Sequence, residues 1–79
     1  MTAEEIFARV QRVVVSNLTN SVTPVTLAST FQDLSIDSLD MVMILMELED
    51  EFDVVIVDEE AEKWKSVQDA VTFLEKKLA

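Results

Sequence analysis

Ser38 is the residue whose position best suits covalent chemistry. It follows Asp37 directly and opens a segment with helical spacing. The first turn of a helix has free backbone N–H groups, and its positive end favours a phosphate ester on a nearby hydroxyl. Asp37 and Asp40 would repel such an ester, which makes sense if a basic modifying enzyme must recognise both acids. Serine is also common in first turns for structural reasons alone, so both interpretations stay open.

The composition excludes most other catalytic chemistry. Among its 79 residues the chain has neither cysteine nor histidine, which removes disulfides, thiolate nucleophiles, zinc sites and histidine acid–base catalysis. Sixteen acidic residues against six basic ones give a formal net charge of −10. Such a field repels nucleic acid and anionic membranes and accelerates encounters with basic partners. We therefore expect that the chain alone is not an enzyme and that it has no metal site, no nucleic-acid partner and no stable membrane association.

Length and hydropathy indicate one small domain that covers residues 1–79. Hydrophobic residues make up 49% of the chain, which is enough for a thin core. No apolar run reaches the roughly 18 residues that a membrane span needs. The first five residues carry acids where a signal or transit peptide would be basic. We predict a cytoplasmic protein that is a monomer; a processed organellar protein is the alternative.

The spacing of apolar residues predicts an all-α fold, a small four-helix bundle with three long helices and one short. The helices are predicted at residues 2 to about 17, 38 to about 52, 58–63, and from 66 onwards. A long polar connection around Pro24 joins the first two helices, and connections of this length are often functional. We expect Leu27, Phe31 and Leu34 to hold this connection against the core.

The second predicted helix carries two apolar stripes on nearly opposite sides, at about 100° per residue. The inner stripe consists of Met41, Ile44, Leu45, Leu48 and Phe52. The outer stripe consists of Leu39, Val42, Met43 and Met46. A bundle of this size buries one stripe, and apolar anchors within an acidic rim are typical of protein-docking surfaces. A helix buried on all sides, or covered by a second copy of the chain, is the alternative.

Four blocks of the sequence resemble bacterial-type acyl carrier proteins. They are residues 31–40 (FQDLSIDSLD), 47–53 (ELEDEFD), 58–63 (DEEAEK) and 66–70 (SVQDA). The blocks keep the order and spacing of that family, and the resemblance covers essentially the whole chain. An isolated Asp-Ser-Leu would carry little weight, whereas four ordered blocks in a chain of matching length are specific.

The resemblance implies that a phosphopantetheinyl transferase attaches 4′-phosphopantetheine from coenzyme A to Ser38. The arm would carry acyl groups as thioesters to synthases, reductases and acyltransferases of fatty acid synthesis, which present basic docking patches. In this family the acyl chain can fold into the bundle interior, which assigns the inner stripe to the acyl pocket and core. The positions matched to partner recognition are Leu39, Asp40, Val42, Met46, Glu47 and Glu51. Asp37 and Met43 complete the predicted docking set.

The sequence also departs from the family pattern. Glycine usually stands where this chain has Ser35, and proline where it has Val57. Position 43 is commonly acidic and is methionine here, and Trp64 occupies a turn that usually carries smaller residues. These departures leave a second pathway open, that of a dedicated carrier for a specialised lipid or polyketide-like product.

Three other classes explain the sequence less well. A calcium loop starting at Asp33 would place Leu39, Met41 and Ile44 at ligand positions, so it fails. An acidic DNA mimic accounts for the charge but not for Ser38 or the ordered blocks. A peptidyl carrier domain is closer, but such domains usually sit inside long synthetases and are less acidic.

Overall fold

The computed structural model describes residues 1–18 and 24–78, and these ranges contain four helices. The helices are α1 (Ala3–Ser16), α2 (Ser38–Phe52), α3 (Asp58–Ala61) and α4 (Val67–Leu78). The described part of the chain has no strand, only an isolated bridge between Thr30 and Ser66. The predicted all-α bundle of three long helices and one short helix is therefore confirmed. The short helix ends two residues earlier than predicted.

A single hydrophobic core lies between the helices, and each helix contributes one face to it. α1 packs against both α4 and α2. The helix residues buried in this core are Ile6, Val10, Val13, Val14, Ile44, Leu48, Phe52, Ala61, Val67, Ala70, Val71 and Leu74. The periodicity of about 3.6 residues identified nearly all of these positions, because one face of each amphipathic helix must leave water.

The connection between α1 and α2 is anchored partly by a residue that the sequence did not single out. Phe31 and Leu34 are buried as predicted, but Leu27 is exposed and Val25 is buried in its place. The side-chain amide of Gln11 donates to the carbonyl of Val25 at 2.7 Å and holds it against α1. The expectation for Leu27 was wrong because side-chain direction in an irregular segment follows no fixed period.

Backbone hydrogen bonds tie the same connection to the start of α4. The N–H of Phe31 donates to the carbonyl of Lys65 at 3.0 Å, and the N–H of Val67 donates to the carbonyl of Ser29 at 2.9 Å. These bonds flank the bridge between Thr30 and Ser66. The segment that leads into α2 is thereby fixed relative to the rest of the bundle.

Trp64, whose turn is expected from the resemblance to carry a smaller residue, is buried in the core. Its ring lies 5.5 Å from that of Phe73 on α4, at 57° between the planes. A tilted pair at this distance is a favourable aromatic arrangement. The large side chain therefore fills the space beneath the end of α3 and packs that end against α4.

Ser35, three residues before α2, has a left-handed backbone with φ 58°. A Cβ atom makes this conformation costly, whereas glycine adopts it freely. The structure thus gives a physical reason why glycine usually stands at this position in the resembling family. Asp53, at the end of α2, shares the conformation with φ 53°, but aspartate tolerates it better than most residues.

We expect Ser35→Gly to raise the free energy of unfolding by about 0.5–1 kcal/mol. Removing Cβ relieves roughly 1–2 kcal/mol of left-handed strain, and the greater freedom of glycine in the unfolded chain takes back about 0.5–1 kcal/mol. Urea unfolding measures the difference. Ser35→Ala keeps Cβ and should give no gain. If both variants gain equally, the hydroxyl group and not the backbone is responsible.

Candidate functional site

Asp37 caps the N-terminus of α2 and so fixes the position of Ser38. Its carboxylate accepts a hydrogen bond from the N–H of Asp40 at 2.8 Å, and its carbonyl accepts one from the N–H of Met41 at 2.9 Å. Ser38 is the first residue of the helix, and its side chain is exposed. Within residues 1–18 and 24–78 its hydroxyl forms no hydrogen bond. An exposed serine therefore occupies the first turn of α2.

A cleft of about 280 Å³ opens beside Ser38, between α2 and the α3 segment. Its walls are formed by Ser38, Met41, Val42, Leu45, Asp58, Ala61 and Glu62. Most of these side chains are apolar, and the two carboxylates stand on the α3 side. The arrangement gives the hydroxyl an apolar neighbourhood on one side and negative charge on the other.

The inner stripe divides into two groups in the structure. Met41 and Leu45 are half-buried and line the cleft. The other three members are fully or almost fully buried in the core, and they are Ile44, Leu48 and Phe52. Sequence periodicity could not separate the two groups, because both lie on the same side of α2.

The sequence did not predict that three further residues line the cleft: Asp58, Ala61 and Glu62. Val42, which was assigned to docking alone, also lines the cleft. The acidic block 58–63 was recognised as a helix, but a four-residue helix has too few turns for its periodicity to indicate which side faces α2. The contribution of α3 to the cleft depends on tertiary packing and cannot be inferred from the local sequence.

The outer stripe is exposed along its whole length. The exposed fractions are 72% for Leu39, 52% for Val42, 50% for Met43 and 60% for Met46. A helix buried on all sides is therefore excluded within the described chain. Val55 and Val57, in the loop between α2 and α3, are also exposed apolar residues, and the sequence had not assigned them to the docking surface.

Two acids of the predicted docking set already have partners on α1 or at its C-terminal cap. Arg12 Nη2 lies 2.7 Å from Glu51 Oε1, and Arg9 Nη1 lies 3.6 Å from the same oxygen. The side-chain amide of Asn17 donates to Glu47 Oε2 at 3.1 Å. These contacts join residues about 30 to 40 positions apart, so no local sequence pattern could reveal them.

Neither a metal cluster nor a membrane span is found in the described ranges. No group of three or more acidic side chains there is placed to hold a metal ion. No helix of residues 1–18 and 24–78 is long and apolar enough to cross a membrane.

Comparison with known proteins shows which family this chain resembles in sequence and fold. A family model described as the phosphopantetheine attachment site matches residues 8–74. A curated acyl carrier protein from an Exiguobacterium strain is 43% identical over 79 residues, covering 99% of this chain and 100% of the relative. The chain belongs to the acyl carrier protein family. A crystal structure of an acyl carrier protein from Thermotoga maritima agrees in fold, with a TM-score of 0.81 and 30% identity over 96% of this chain and 89% of that one.

Membership confirms several predictions made from the sequence. This acyl carrier protein takes a covalent 4′-phosphopantetheine arm derived from coenzyme A, and it is a carrier and not an enzyme. Its role implies a phosphopantetheinyl transferase and acyl-processing enzymes as partners. The geometry fits the arm, because an exposed hydroxyl at a helix N-terminus can bear a phosphodiester and the adjacent cleft offers apolar surface.

Proposed function

We propose that Ser38 is the attachment residue and that the arm it bears carries acyl thioesters through fatty acid synthesis. The observation that supports this most directly is the exposed Ser38 hydroxyl at the mouth of an apolar cleft, within the range that matches the attachment-site family. The first-turn N–H groups of α2 stabilise the negative phosphodiester. The transferase forms the Ser38 Oγ–phosphorus bond and releases the adenosine bisphosphate part of coenzyme A.

The cleft is the proposed resting place for the first part of the acyl chain. Met41, Leu45 and Ala61 give it an apolar lining, and each methylene group that leaves water there contributes about 0.8 kcal/mol. A longer chain would have to part α2 from α3 to reach Ile44 and Leu48 in the core. The cost of opening that core limits how firmly long chains are held, so partners can extract them.

The outer stripe is the proposed docking surface for partners. Leu39, Val42, Met43 and Met46 supply exposed apolar anchors, and Asp37 and Asp40 supply negative charge beside the attachment residue. Glu47 and Glu51 belong to the same proposed surface at its α1 side. Apolar contacts set the affinity, while the net charge of −10 accelerates encounters with basic partner surfaces.

Loading by a broad-specificity transferase tests the attachment residue. Incubation of the apo protein with coenzyme A and magnesium should add one arm of about 340 Da, and peptide mapping should place it on Ser38. An arm on any other serine would overturn the assignment.

Elongation tests the pathway. After malonyl loading, a fatty acid ketosynthase should accept the protein as a substrate. Refusal by that enzyme, with acceptance by a dedicated synthase, would instead favour a specialised pathway.

We also propose that the protein works as a monomer in the cytoplasm, where a transferase that uses coenzyme A can meet it. Subcellular fractionation of the native host tests this localisation.

A further inference from the structure

Helix α1 places two cations on one carboxylate of the proposed docking surface. Arg12 and Arg9 both approach Oε1 of Glu51, at 2.7 and 3.6 Å. The Glu51 side chain is only 29% exposed, whereas that of Arg12 is 71% exposed. A basic partner that approaches Glu51 therefore meets guanidinium groups first.

The acids at the Ser38 end of α2 have no such cations beside them. Asp37 and Asp40 flank Ser38, and no lysine or arginine of the described ranges lies within ion-pair distance of either carboxylate. The remaining described ion pair joins Lys63 to Glu60 of α3. The two ends of α2 thus differ at one carboxylate: Glu51 is already paired with α1, whereas Asp50 and Asp53 beside it, like Asp37 and Asp40, have no ion pair within the described ranges.

We propose that Arg9 and Arg12 are specificity-determining residues, which compete with basic partners for Glu51 and so disfavour partners that bind Glu51 relative to partners that contact only Asp37 and Asp40. This inference rests on the proposed docking surface. Partners that use Glu51 must displace Arg12 or carry an acid opposite it. Partners whose basic groups contact only Asp37 and Asp40 have no ion pair to displace.

A double-mutant cycle on the apo protein tests the competition. The probe is a broad-specificity transferase without coenzyme A, and its Kd is measured at low salt. Arg12→Ala should tighten binding about two- to fivefold, the range expected when an exposed ion pair is removed. Lys76→Ala is the matched control, because it removes the same charge from an exposed position on α4 outside the described ion pairs. In a Glu51→Gln background, Arg12→Ala should tighten transferase binding no more than Lys76→Ala does.

The possible outcomes distinguish a failure of this inference from a failure of the proposed docking surface. Equal tightening by Arg12→Ala and Lys76→Ala would overturn the inference, since net charge alone would explain both. Asp40→Asn reports on the docking surface itself and should weaken binding. If neither Asp40→Asn nor Met46→Ala changes the Kd, the docking surface is wrong and the inference falls with it. Thermal melts of each variant exclude a loss of fold as the cause.

Discussion

Ser38→Ala is expected to abolish attachment of the phosphopantetheine arm and leave the fold intact. The substitution removes the hydroxyl that forms the phosphodiester, so the change in loading is complete. Ser38 is exposed, and the α2 cap is made by Asp37, whose bond to the N–H of Asp40 stays in place. The free energy of unfolding should therefore change by no more than about 0.5 kcal/mol. Intact mass after incubation with coenzyme A, magnesium and transferase measures loading, and urea unfolding measures stability.

The matched control for this result is Ser35→Ala. Ser35 is an exposed serine three residues upstream, so its variant should still gain one arm. A loaded Ser38→Ala protein would show that the attachment residue lies elsewhere. An unloaded Ser35→Ala protein that remains folded would point instead to recognition of the segment before α2.

Leu48→Ala is expected to destabilise the protein by about 2–5 kcal/mol, whereas Met46→Ala should change stability by less than about 1 kcal/mol. Both residues are on α2 and both variants truncate a large apolar side chain. Leu48 is 1% exposed and leaves a cavity in the core, while Met46 is 60% exposed and leaves none. A domain this small has a total stability of roughly 5–15 kcal/mol, so the first change removes a large share of it. Urea unfolding of both variants is the measurement.

Leu45→Ala should fall between these two values, because Leu45 is half-buried on the wall of the cleft. Met46→Ala should in addition weaken binding to the transferase, which Leu48→Ala should do only through loss of fold. Equal destabilisation by Met46→Ala and Leu48→Ala would mean that the outer stripe is covered in solution. Sedimentation at several concentrations would then reveal whether a second copy of the chain covers it.

Much of this protein could be read from local sequence patterns. The recurrence of apolar residues predicted the helices, since an amphipathic helix in water has to bury one face. The same reasoning found two apolar faces on α2 and showed that only one could be buried. Apolar spacing also placed the start of the second helix at Ser38, where the structure shows Asp37 as its cap, bonded to the N–H of Asp40. Four ordered blocks then gave the family.

The contacts between distant segments needed the tertiary structure. Val25 rather than Leu27 is buried in the long connection, since an irregular segment has no period to fix side-chain direction. Asp58 and Ala61 line the cleft because of how the short α3 sits against α2. Ion pairs depend on how helices pack, so the sequence alone could not show that Arg12 neutralises Glu51. Local periodicity specifies which face of a helix is apolar, but only packing decides which charges and cavities those faces bring together.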